Sequence, residues 1–143
     1  MIALIPIQLV TAAISDRIGR KPVLIAASVA AIVFAVPLFY GMYQQSMLMI
    51  QLSQLCFALI AGTYLGVMPA FMVELPSPQV RSTTIALGYN LTAGVIGGFT
   101  PFAASWIVHR TRNDISPSYM IMGAAAISLV AIVSMKESYR KAL

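Results

Sequence analysis

Residues 23–39, 47–73, 83–108 and 115–135 contain no Asp, Glu, Lys or Arg. Each stretch is close to the roughly 17–25 residues a helix needs to cross the hydrocarbon of a bilayer. Backbone N–H and C=O groups find no water there, so such runs predict helices. Together with an apolar opening stretch, the pattern predicts five segments: 1–14, short, then 22–43, 47–73, 83–108 and 117–135. Pro22 suits a first helical turn, where its missing N–H costs nothing. Pro76 and Pro78 break the chain after the third segment, and Ser116-Pro117 resembles an N-cap followed by a first-turn proline. Pro37, Pro69 and Pro101 fall inside apolar runs, where neighbouring helices can satisfy the carbonyls they release.

Composition agrees with this pattern. Of the 143 residues, 59% are hydrophobic and 9% charged, against about 45–50% and 25% in soluble domains. Four acidic and nine basic residues cannot cover a water-facing surface. The expected fold class is an all-α membrane protein in contact with the lipid bilayer. The net charge of +5 does not signal nucleic acid, because the basic residues lie between apolar runs and are not interleaved with aromatics. They read as topology. If every segment crosses, one side carries Arg17, Arg20, Lys21, Arg81, Lys136, Arg140 and Lys141, and the other Arg110 and Arg112. Lys and Arg accumulate on the cytoplasmic side, which places the Asp16–Lys21 link and the C-terminus inside. The single Cys56 permits no intrachain disulfide. Residues 1–13 lack a basic leader and read as the end of a spanning helix rather than a secretory signal.

At about 100° per residue, the third segment lines up Gln51, Gln54, Ala58, Gly62, Gly66 and Pro69. The fourth lines up Thr83, Asn90, Gly94, Gly97, Gly98, Pro101 and Ser105. Small residues let helices approach closely, and polar ones are costly against lipid, so both helices should turn a face to protein or water. Gly62xxxGly66 and Gly94xxxGly98 fit helix packing, the usual role of such glycines. Asn90 fits either a cavity contact or an interhelical hydrogen bond. Tyr64 and Tyr89 fit either substrate stacking or packing. Segments 22–43 and 117–135 have no amide stripe and read as peripheral. Asp16, Glu74 and His109 have neither catalytic spacing nor a common pocket. No nucleotide-binding loop or metal-ligand set is present, so neither an enzyme nor a cofactor is expected.

The run Ser15-Asp16-Arg17-Ile18-Gly19-Arg20-Lys21-Pro22 resembles the signature of the major facilitator superfamily, Gly-x-x-x-Asp-Arg-x-Gly-Arg-Arg/Lys. Ala12 stands in place of its first glycine. Glu74-Leu75 with Val80-Arg81 resembles the Glu-Leu-Phe-Pro-Thr-x-x-Arg link between the tenth and eleventh helices, Pro76-Ser77-Pro78 replacing Phe-Pro-Thr. Leu87-Gly88-Tyr89-Asn90-Leu91, Gly97-Gly98-Phe99-Thr100-Pro101 and Met135-Lys136-Glu137-Ser138 are similar to the metabolite–proton symporter branch, which includes proline/betaine, α-ketoglutarate, citrate and shikimate transporters.

This resemblance implies that residues 1–143 form part of a C-terminal six-helix bundle, from the end of helix eight to helix twelve, without helices one to seven. It implies a cell inner or plasma membrane location and symport of a small polar metabolite with protons, lost when the piece stands alone. Gln54, Thr63, Tyr64, Tyr89 and Asn90 are then the substrate-path candidates. Asp16, Arg17, Gly19, Arg20, Lys21, Glu74 and Arg81 are the cytoplasmic gate, where an ion-pair cluster would stabilise the outward-open state. No Asp or Glu lies within a span, so the resemblance places the proton-carrying group in the absent half. The competing expectation is a small complete membrane protein, either a homodimeric half-transporter or a structural subunit.

Overall fold

A computed structural model describes residues 4–44, 46–74, 76–77 and 79–135. Helices α1 (Leu4–Ile18), α2 (Arg20–Tyr43) and α3 (Met47–Glu74) come first. Then α4 (Arg81–Asn90) passes through a π-helical stretch, Leu91–Gly97, into α5 (Gly98–Thr111), and α6 (Pro117–Ser134) closes the order. No strand occurs among the described residues. Among the described residues, four helices are long and apolar enough to cross a membrane: Arg20–Tyr43, Met47–Glu74, the continuous Arg81–Thr111 and Pro117–Ser134. With the shorter α1, they match the five expected segments. The tail carrying Lys136, Glu137, Arg140 and Lys141 lies outside the described residues, as do Met1 to Ala3, Leu75 and Pro78.

The breaks between helices have local causes. The first link, expected over Ser15–Lys21, shrinks to one residue, because α1 runs on to Ile18 and α2 starts at Arg20. Gly19 makes the corner with φ 115° and ψ 151°, a region open essentially to glycine alone. Its N–H still bonds the Ser15 carbonyl at 2.9 Å. Pro22 is the third residue of α2, among the first four positions that need no intrahelical donor. At the far end of α5, Arg112 turns left-handed (φ 52°) and its N–H caps the Val108 carbonyl at 2.8 Å. Asn113 Oδ1 then accepts the Ile115 N–H at 3.0 Å, a side-chain turn of the kind Asn favours. Pro117 opens α6 as expected. Ser116 does not cap it, however: its hydroxyl pairs with Thr111 Oγ1 at 2.5 Å, tying the two ends of the link together.

The packing corrects one expectation. Segment 22–43 is not peripheral: α2 lies between α3 and α6, makes its most extensive contacts with them, and buries Leu24, Ala27, Ser28, Ala31 and Ala35. Ala27, Ser28, Ala31 and Ala35 form a small-residue face, and alanine permits close approach as glycine does. A search for glycine and amide stripes passes over it. Leu24 meets Val67 and Phe71 of α3 and Ile132 of α6 in the shared core. The α6 seam is Ser118, Ala125 and Ile132, seven residues apart. Helix α1 packs on α3. By contrast, Arg81–Thr111 buries none of its residues.

Candidate functional site

The C-terminal ends of α1, α3 and α6 gather beside the N-terminus of α2, and a basic side chain organises each half of this junction. Arg20 serves the first half. Its Nη1 lies 2.5 Å from Asp16 Oδ1 and donates to Ser15 Oγ at 2.7 Å, while its Nε donates to Glu74 Oε1 at 3.2 Å. Three helix ends thus share one guanidinium. Arg20 is only 16% exposed, against 26% for Glu74 and 59% for Asp16, so the Glu74 pair is better shielded from water. Ser15 is fully buried and donates in turn to the Ala12 carbonyl at 2.8 Å. Its small side chain lets the guanidinium sit against α1.

The other expected gate residues take separate places. Arg17 occupies the last turn of α1, where a cation suits the negative helix end. Lys21 points to the other half of the junction, with Nζ donating to the carbonyls of Val133 at 2.9 Å and Met135 at 2.6 Å. Arg81 is the first residue of α4, and its buried Nε has no hydrogen-bond partner among the described residues. The structure therefore joins Asp16, Arg20 and Glu74 in one cluster and directs Lys21 to α6.

The substrate-path candidates are spread over several faces. On α3, Thr63 lines a cleft of about 510 Å³ with Thr11, Ile14, Pro22 and Val23, and its hydroxyl bonds the Leu59 carbonyl at 2.8 Å. Tyr64, one position on, turns about 100° further round the helix to another cleft. Its hydroxyl pairs with Ser28 Oγ of α2 and reaches Ser128 Oγ of α6 at 3.5 Å, on the wall of an apolar cleft of about 400 Å³ with Ala31, Phe57, Ala125 and Ser128. Gln54 borders a third cleft of about 300 Å³, beside Phe39, Met42 and Ile121. Tyr89 is 60% exposed, and Asn90 Nδ2 donates to the Ala86 carbonyl of its own helix at 2.8 Å. Ser28 and Ser128, which anchor Tyr64, were not singled out from sequence. A signal existed, since Ser28 is the only hydroxyl or amide side chain within residues 23–39.

Long apolar helices sharing an ion cluster at one end define a multi-pass membrane protein. The chain belongs to the family described as sugar (and other) transporter, which matches residues 2–140 and falls in the major facilitator superfamily. It is 34% identical over its whole length to the glycine betaine/proline/ectoine/pipecolic acid transporter of Dickeya dadantii and 31% identical to the proline/betaine transporter of Escherichia coli K12. A putative proline/betaine transporter of Staphylococcus aureus is 25% identical over 92% of the chain. In each case the chain spans 28% of the relative's length. No solved structure matches the chain.

Proposed function

We propose that these helices form the C-terminal portion of a proton-coupled symporter for a small polar metabolite, a compatible solute such as proline or betaine or else an organic acid. The observation that carries this reading is the Arg20-centred cluster in a chain that matches transporters from end to end. One guanidinium holds Asp16 and Glu74 at the tips of α1 and α3, contacts that can break when those tips separate. Exposed pairs contribute only about 0–1 kcal/mol each, and a bias of a few kcal/mol sets the balance between two access states. The distribution of Lys and Arg supports an orientation with this end of the bundle, and the C-terminus, in the cytoplasm, across an inner or plasma membrane.

The substrate would meet Thr63, Tyr89 and Asn90, with Gln54 set apart from them on another face of α3. For Tyr64, the two serine partners favour the packing role. The acidic residues Asp16, Glu74, Asp114 and Glu137 all lie outside the charge-free runs. The proton-carrying group, expected inside a membrane span, is therefore assigned to helices one to seven of the full transporter, against which this portion rocks.

A chimera tests the reading. These 143 residues would replace the matching 28% of the E. coli proline/betaine transporter, and labelled betaine uptake would be measured in cells lacking their own uptake systems. Uptake that collapses with a protonophore is expected, whereas the 143-residue chain alone should give none. A chimera that inserts at normal levels and moves neither proline, betaine nor organic acids would overturn the proposal. Uptake by the short chain alone, as a symmetric dimer, would favour the half-transporter reading.

A further inference from the structure

Arg20 and Lys21 are neighbours in the sequence, yet their side chains serve different helices. Arg20 binds across to α1 and α3, whereas Lys21 binds to the end of α6 through two backbone carbonyls. That helix end lacks the usual left-handed cap, because Met135 is extended (φ −80°, ψ 145°) and not a glycine. The last carbonyls of a helix have no intrahelical donor and carry the negative end of its dipole. An ammonium reaching them from a neighbouring helix supplies both a donor and a positive charge. Deeper in the bundle the same two helices share the core that holds Leu24 and Ile132, and Tyr64 of α3 pairs with Ser28 of one and reaches Ser128 of the other.

We propose that Lys21 is a positioning residue that caps α6 and holds α2 and α6 as a single body, while Arg20 alone serves the separable cluster. The turn at Gly19 thus divides its two basic residues between a contact that lasts and a contact that opens. The opening of the Arg20 contact rests on the transport reading, whereas the coupling of α2 to α6 through Lys21 does not.

Hydrogen–deuterium exchange on the 143-residue chain in lipid nanodiscs tests it, comparing the wild type with Lys21→Met, Lys21→Arg and Arg20→Gln. Lys21→Met should speed exchange of the amides at 131–135 roughly two- to fivefold, the scale of a lost charge at a helix end, while leaving 70–74 unchanged. Lys21→Arg retains donors and charge and should stay near wild type. Arg20→Gln should show the opposite pattern, faster at 70–74 and unchanged at 131–135. Unaltered exchange at 131–135 in Lys21→Met would overturn the proposal. So would an equal rise at every helix end, or a Lys21→Arg variant that behaves like Lys21→Met.

Discussion

Gly62 and Gly66 on α3 have the same four-residue spacing as Gly94 and Gly98 on the helix Arg81–Thr111, but the two pairs differ in surroundings. A Cβ on Gly62 would lie 2.6 Å from Ile7 Cγ2, and one on Gly66 would lie 2.6 Å from the Gln8 carbonyl oxygen and 2.7 Å from Thr11 Oγ1. Helix α1 fills that groove, and Thr11 Oγ1 stands 3.5 Å from the Gly62 carbonyl. At Gly94 and Gly98 an added Cβ would meet nothing within 4 Å. Lipid tails are as apolar as leucine, so helices gain little from simply burying apolar surface against each other. Close packing and polar contacts decide instead. Spacing licenses a close approach without naming the helix that approaches. Gly94 also lies within the π-helical stretch Leu91–Gly97, which ends one residue before Gly98, and such stretches appear frequently at functional sites.

The largest expected effect falls on the filled groove. Gly66→Leu forces a side chain against the backbone of α1 and should destabilise the chain by about 3 kcal/mol, the upper range for overpacking. Gly94→Leu, the matched control, should be neutral or stabilising by up to about 1 kcal/mol, because Gly is the poorer helix former by that amount. Unfolding of both variants in lipid–detergent mixtures, followed by circular dichroism, measures the difference. Equal losses would mean that the two stripes are equivalent after all.

Gly19→Ala should come next, costing about 1–3 kcal/mol because alanine is strained at φ 115°. It should loosen the α1–α2 corner and leave Arg81–Thr111 untouched, which the same unfolding assay with a reporter on each helix would show. Tyr64→Phe removes one hydroxyl with two serine partners and should cost about 0.6 kcal/mol, the average for interhelical hydrogen bonds in a membrane. The smallest stability change is expected for Asp16→Asn, about 0–1 kcal/mol for an exposed pair. In the chimera, however, that variant should raise inward accessibility. Unchanged transport together with unchanged accessibility would remove the latch role.

The spans were legible because charge-free runs of membrane length admit one structure in lipid. The end of α1 was less so. Asp16 and Arg17 look like a link when charge marks the membrane edge, yet the helix continues past that edge to Ile18. The central place of α2 was hidden because Ala27, Ala31 and Ala35 look like ordinary apolar residues until a partner's shape is known. In the candidate site, Asp16, Arg20 and Glu74 could be grouped from motif spacing. The turn of Lys21 toward Val133 and Met135 could not, since its acceptors are backbone carbonyls 112 and 114 residues away and carry no side-chain signature. Tyr64 was legible as a polar group in an apolar run, and Ser28 as a lone hydroxyl within 23–39, but that the two meet, with Ser128 beside them, was not.

Orientation is the claim to which the gate, the topology and the transport reading all answer, and cysteine labelling in intact cells tests it most directly. In a Cys56→Ala background, Ser77→Cys in the α3–α4 link and Asn113→Cys in the α5–α6 link would be treated with a membrane-impermeant maleimide. The account predicts labelling at position 113 from outside and labelling at position 77 only after the cells are opened. Position 77 reacting in intact cells, or both positions reacting alike, would contradict it.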